Sequence, residues 1–152
     1  MSMTLTLVPL AIALNVSLAS SVAAILCKQK PKGASLPAVE TIFSDAALLE
    51  QTLREHGLSF TADSPNEYTV STDAGVLRYF RASADVPFQL EATGVDDMEE
   101  LLDSLDALEN EYGRNVQKFT YDKVMCSLAQ YGMTVDREEV LEDDSILLTL
   151  NL

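Results

Sequence analysis

The feature that most constrains this chain is the run LTLVPLAIALNVSLASSVAAILC, twenty-three residues from Leu5 to Cys27 without a charge, followed at once by KQKPK. At about 1.5 Å of rise per residue, a helix of this length crosses the hydrocarbon core of a bilayer. Asn15, Ser17, Ser20 and Ser21 are polar, but hydroxyls can bond the helix's own backbone and a single Asn is tolerable. Pro9 falls early, where it disturbs a helix least.

Three readings of the run follow: a membrane anchor, a cleaved signal peptide, or a helix buried in a soluble core. A signal peptide needs basic residues before the apolar run, and none is present. The run also continues to Leu26, past its small-x-small cleavage candidate Ser17-Leu18-Ala19. A buried helix would need apolar partners on every side, which a domain of this size rarely has to spare. The anchor fits length and flanks best. Lys28, Lys30 and Lys32 on its carboxyl side then predict a single-pass membrane protein with a cytoplasmic carboxyl-terminal domain. Ala13, Ser17 and Ser21 recur every fourth residue, a spacing that lets helix backbones approach closely in lipid.

The predicted layout is an anchor over 1–28, a basic linker over 29–37 and an acidic α+β domain over 38–152. Two prolines, a glycine and small polar residues in KPKGASLP suit a linker that cannot hold a helix. All 24 acids lie beyond it, and from Gly33 onward they face seven bases, a net charge of −17. A domain this acidic repels phosphate backbones, which excludes nucleic acid as a partner and favours basic protein surfaces or cations.

Within the domain, Val39–Phe43 is predicted as a strand. Ser44 is the expected N-cap of a helix with the apolar stripe Leu48, Leu49, Thr52, Leu53 and a stop at Gly57. NEYTVSTDAGVLRYF alternates as a hairpin turning through Thr72–Gly75, and VPFQLEATG follows as another strand. Met98, Leu101, Leu102, Leu105 and Leu108 predict one helix, capped by Asp96 or Asp97. Gly113 predicts a break, and Val116, Phe119, Val124 and Leu128 predict a second helix ending at Gly132. Two strands around Asp143-Asp144 close the chain. The predicted fold is thus α+β: an N-terminal transmembrane helix, then a small, largely antiparallel sheet with helices packed on one face.

FTYDKVMCSLAQYGMTVDREEV, with DDSILLTL after it, resembles the carboxyl-terminal signature of the uncharacterised hypothetical chloroplast reading frame 35 family (domain of unknown function 1257). The matching positions are Phe119, Thr120, Tyr121, Lys123, Val124, Gly132 and Ile146 to Leu150. VETIFSDAALLEQTLREHG resembles the family's opening strand and helix, so the likeness spans roughly 38–152. The family's helix histidine is Asp122 here, and its early Ser-His start is missing. The resemblance implies a small accessory domain, sometimes encoded beside ATPases of the AAA type, and no established reaction.

Residue chemistry narrows the functions further. His56, the one histidine, stands beside Gly57 at a helix end, where a cation suits the dipole. No nucleophile elbow, phosphate loop, calcium loop or metal-spaced cysteine pair is present, so no cofactor or metal is expected. Acids are the distinctive element. Asp96, Asp97, Glu99, Glu100, Asp103, Asp106 and Glu109 crowd one helix with no base among them. Like charges at that density cost helix stability, which points to a docking face for a basic partner, an AAA-type ATPase being the family's association. The leading expectation is a membrane-tethered, cytoplasm-facing, non-enzymatic binding or adaptor domain. A structural subunit held through the Ala13, Ser17, Ser21 face and a carboxylate-based, cation-dependent enzyme are the alternatives.

Overall fold

The computed structural model describes residues 1–8 and 34–151. Their elements are β1 (Ser2–Leu7), β2 (Ala34–Glu40), α1 (Ala46–Glu55), β3 (Ser59–Ser64), β4 (Glu67–Thr72), β5 (Gly75–Phe80), β6 (Gln89–Val95), α2 (Met98–Gln130), β7 (Thr134–Val140) and β8 (Ile146–Asn151). They form two antiparallel sheets, one ordered β1-β8-β7 and the other β2-β6-β5-β4-β3.

The expectation of a membrane-spanning helix over Leu5–Cys27 is corrected at its start. Leu5, Thr6 and Leu7 belong to β1, paired in register with Leu148, Leu147 and Ile146 of β8. The period of two in Met3-Thr4-Leu5-Thr6-Leu7 is a strand pattern, and length without charge had hidden it. Among the described residues no helix is long and apolar enough to cross a membrane. The transmembrane fold class, the attachment through residues 5–27 and the single-pass location with a cytoplasmic domain are therefore withdrawn. Residues 9–27, with Ala13, Ser17 and Ser21, lie outside the described residues. The single sheet is corrected as well, to two.

The chain divides into two compact units. The larger contains residues 34–112 of those described. Alternation in its strands sends Tyr68 and Val70, Leu77 and Tyr79, and Leu90 and Ala92 to one buried face, and register sets Tyr68 against Tyr79 and Tyr79 against Leu90. Leu48, Leu49, Thr52 and Leu53 of α1 and Leu101, Leu105, Leu108 and Tyr112 of α2 complete this core. Phe43 stands edge-on to both Tyr79 and Tyr112, with ring centroids 5.5 and 4.8 Å away. Aromatic pairs in that arrangement add to the burial of their area.

The predicted strand over Val39–Phe43 ends instead at Glu40. Beyond it Thr41 Oγ1 donates to the Phe88 carbonyl (2.6 Å) and accepts from Phe43 N–H (3.1 Å). Thr41 N–H also donates to the Phe88 carbonyl (3.0 Å) and Phe88 N–H to the Phe43 carbonyl (2.8 Å), so two positions of this segment bond to Phe88 as an irregular continuation of the pairing. The N-cap of α1 is Asp45, whose Oδ1 accepts from Ala47 and Leu48 N–H at 2.9 and 3.1 Å, and not Ser44. Two hydrogen bonds to first-turn amides are what a cap supplies.

The smaller unit contains residues 1–8 and 113–151 of those described. Leu7, Leu128, Leu148 and Leu150 form its core, with Leu5, Val124, Met125, Met133 and Ile146 packed against them. Gln117 Nε2 donates to the carbonyls of Leu7 (3.1 Å) and Asp144 (2.7 Å), tying the end of β1 to the turn before β8.

Helix α2 contributes its first half to one unit and its second half to the other, and runs unbroken for 33 residues. The predicted break at Gly113 does not occur. A glycine inside a helix costs only about 1 kcal/mol against alanine, so one such residue does not by itself end a helix. Phe119 is another departure: it is exposed, with Lys123 Nζ 4.6 Å from its ring centroid.

Candidate functional site

The inward positions of the first half of α2, Leu101, Leu105, Leu108 and Tyr112, follow helical spacing and leave the intervening positions to solvent. Asp96, Asp97, Glu99, Glu100, Asp103 and Asp106 are all exposed there. Asp97 Oδ1 accepts from Glu100 N–H at 3.0 Å, satisfying one of the amides that a helix start leaves free. Negative charge in these first turns is also favoured by the helix dipole.

Glu109, the seventh acid, is different. It is 2% exposed and therefore belongs to the core and not to the solvent face. Burial, and after it the electrostatic interaction with Glu109, pushes the Tyr79 pKa well above the usual tyrosine value. The Tyr79 hydroxyl is enclosed without a hydrogen-bond partner among the described residues.

The exposed acids border an open cleft of about 420 Å³, lined by Asp97 just before α2, by Glu99, Glu100, Asp103, Ser104 and Ala107 of α2 and by His56 at the end of α1. The cleft thus joins four carboxylates and the lone imidazole. Spacing alone placed the carboxylates together, but His56 stands more than forty positions away in sequence and only tertiary structure brings it there. None of Asp96, Asp97, Glu99, Glu100, Asp103 and Asp106 forms an ion pair among the described residues. Chemically, the cleft offers hydrogen-bond acceptors and negative potential to an ammonium or guanidinium group. Among the described residues no group of three or more His, Cys, Asp or Glu could hold a metal ion.

The second acidic run, Glu138, Glu139, Glu142, Asp143 and Asp144, is exposed, and three of its carboxylates are engaged in local structure. Glu138 accepts from the Tyr121 hydroxyl (2.8 Å), Glu139 pairs with Arg137 (3.3 Å), and Asp143 accepts from Ser145 N–H (3.0 Å). Cys126 is an exposed free thiol on α2.

A second concavity, of about 540 Å³, was not legible in the sequence. It lies at the end of β5 and is lined by Glu40, Phe80, Arg81, Ala82, Val86, Pro87 and Gln89. Arg81 is held by Asn66 Oδ1 (2.9 Å), by the Ser44 carbonyl (2.8 Å) and over the Phe88 ring, 4.3 Å from its centroid. These bonds use Arg81 to tie the loop between β5 and β6 to the start of α1.

No protein-family model matches the chain, and no curated protein or solved structure matches it either.

Proposed function

We infer that the exposed acidic face of the first half of α2, with the cleft beside His56, is a docking surface for a basic protein segment, and that the chain acts as a non-enzymatic binding domain. The observation that carries this reading is that six carboxylates, Asp96 and Asp97 just before α2 and four on its first turns, stand exposed with no ion pair among the described residues. A like-charged face of this kind is costly when alone and favourable when a partner neutralises it. Opposite charge also steers such a partner and makes its capture sensitive to salt.

The test is a titration of the full chain with a lysine- and arginine-rich peptide at low and high salt. Neutralising Glu100→Gln, Asp103→Asn and Asp106→Asn together is expected to weaken binding about tenfold at low salt. The same number of charges removed from the other cluster, as Glu139→Gln, Glu142→Gln and Asp144→Asn, is expected to leave binding close to wild type. Equal losses from both triple variants would reduce the effect to net charge and end the proposal.

A further inference from the structure

Two sheets have four edges, and three of them carry features that prevent another strand from adding. β7 bears Asp136, Arg137, Glu138 and Glu139 and a register shift between Val135 and Arg137. β3 carries Asp63, has a register shift between Ala62 and Ser64, and is followed by Pro65. β2 contains Pro37, has two register shifts and ends in Glu40. Charges, prolines and bulges at edges are the usual means of blocking edge-to-edge pairing.

β1 has none of them. Ser2–Leu7 contains no charge, proline or glycine, and pairs with β8 through six consecutive positions without an irregularity. Ser2, Met3, Thr4 and Thr6 are exposed. On the side away from β8, its backbone has no strand partner among the described residues.

We propose that β1 is a homodimerisation edge, at which a second copy of this chain adds its own β1 antiparallel to form a continuous six-stranded sheet. Charge confines where such a contact can form. With a net charge of −14, two copies repel over most approaches, whereas β1 and its neighbour β8 form an uncharged band two strands wide. The alternation is also self-complementary. A two-fold axis normal to the sheet sets residues of one face opposite residues of the same face, so Met3, Leu5 and Leu7 meet their counterparts and Ser2, Thr4 and Thr6 meet theirs. Met3, 57% exposed, would gain apolar neighbours on the face where Leu7 is already buried.

Sedimentation of the full chain over a range of concentrations, with amide hydrogen exchange of residues 2–7, tests the proposal. The expected result is a reversible dimer whose β1 amides gain protection as concentration rises. Thr4→Lys, at an exposed position, sets like charges close across the axis and is expected to raise the dimer dissociation constant about tenfold or more. Ser83→Lys, which adds the same charge in an exposed loop, should leave it unchanged. Three outcomes would overturn the proposal: a monomer at every concentration, a dimer with no concentration-dependent protection in β1, or a monomer whose β1 amides are already protected by its own chain. Thr6→Lys provides a second reading should Thr4→Lys fail to fold.

Discussion

Three tyrosines of the larger unit show how much a single hydroxyl depends on its surroundings. The Tyr112 hydroxyl accepts from Ser44 and Asp45 N–H, each at 3.0 Å, at the entry to α1. Tyr112→Phe leaves both amides without that acceptor and is expected to cost about 1–3 kcal/mol in urea unfolding. The Tyr79 hydroxyl has no hydrogen-bond partner among the described residues. Tyr79→Phe removes an unmet polar group from a closed site, so the same measurement should show anything from no change to about 1 kcal/mol of stabilisation. Tyr68 donates to Glu50 Oε1 at 2.8 Å, and its pKa is pushed up to about 12, first by burial and then by that hydrogen bond. A folded-state value above the unfolded one of about 10 means that its contribution is complete below pH of about 10 and is lost as pH climbs towards 12. The alkaline fall in melting temperature should therefore be shallower in Tyr68→Phe than in the wild type.

Within elements, Gly75 carries the hairpin between β4 and β5. Its φ is 152°, and a Cβ there would meet the Thr93 carbonyl oxygen at 3.0 Å and the Gly94 carbonyl oxygen at 3.3 Å. Backbone cannot yield as a flexible side chain can, so Gly75→Ala is expected to destabilise by about 2–4 kcal/mol, read by thermal unfolding. This hairpin was legible in advance because alternation, a Thr-Asp-Ala-Gly turn and a second alternation are all local signals. The helical stripes of α1 and of the first half of α2 were legible for the same reason, whereas in the second half Leu128 is buried but Phe119, expected inward, is exposed. Gly113 misled, since in a local window it reads as the same stop as Gly132, whereas Gly132 takes a positive φ of 68° and Gly113 stays helical. The acids of α2 were readable as a cluster, yet Glu109 differs from Glu100 only by what surrounds it. His56 could not have been placed beside them from spacing.

At the scale of the whole molecule, residues from opposite ends of the chain build one sheet: β1 pairs with β8 along its full length. Leu148, fully buried there beside Leu7 and Leu128, receives its environment from segments separated by more than a hundred residues. Leu148→Ala is expected to cost about 2–5 kcal/mol, measured by denaturant unfolding, because the cavity it leaves is bounded by two strands and a helix that cannot all collapse inward.

By itself, the sequence determined the acidic balance, the helical and hairpin periods and the crowding of carboxylates at the start of one helix. Each is a property of composition or of neighbours within a few residues, where spacing alone sets which side chains share a face. Only tertiary structure decided that Leu5–Leu7 form a strand, that there are two sheets, that Glu109 is buried and that His56 borders the acidic cleft. Those outcomes depend on which distant segments meet. The free energy of such pairings comes from burial that no local window contains.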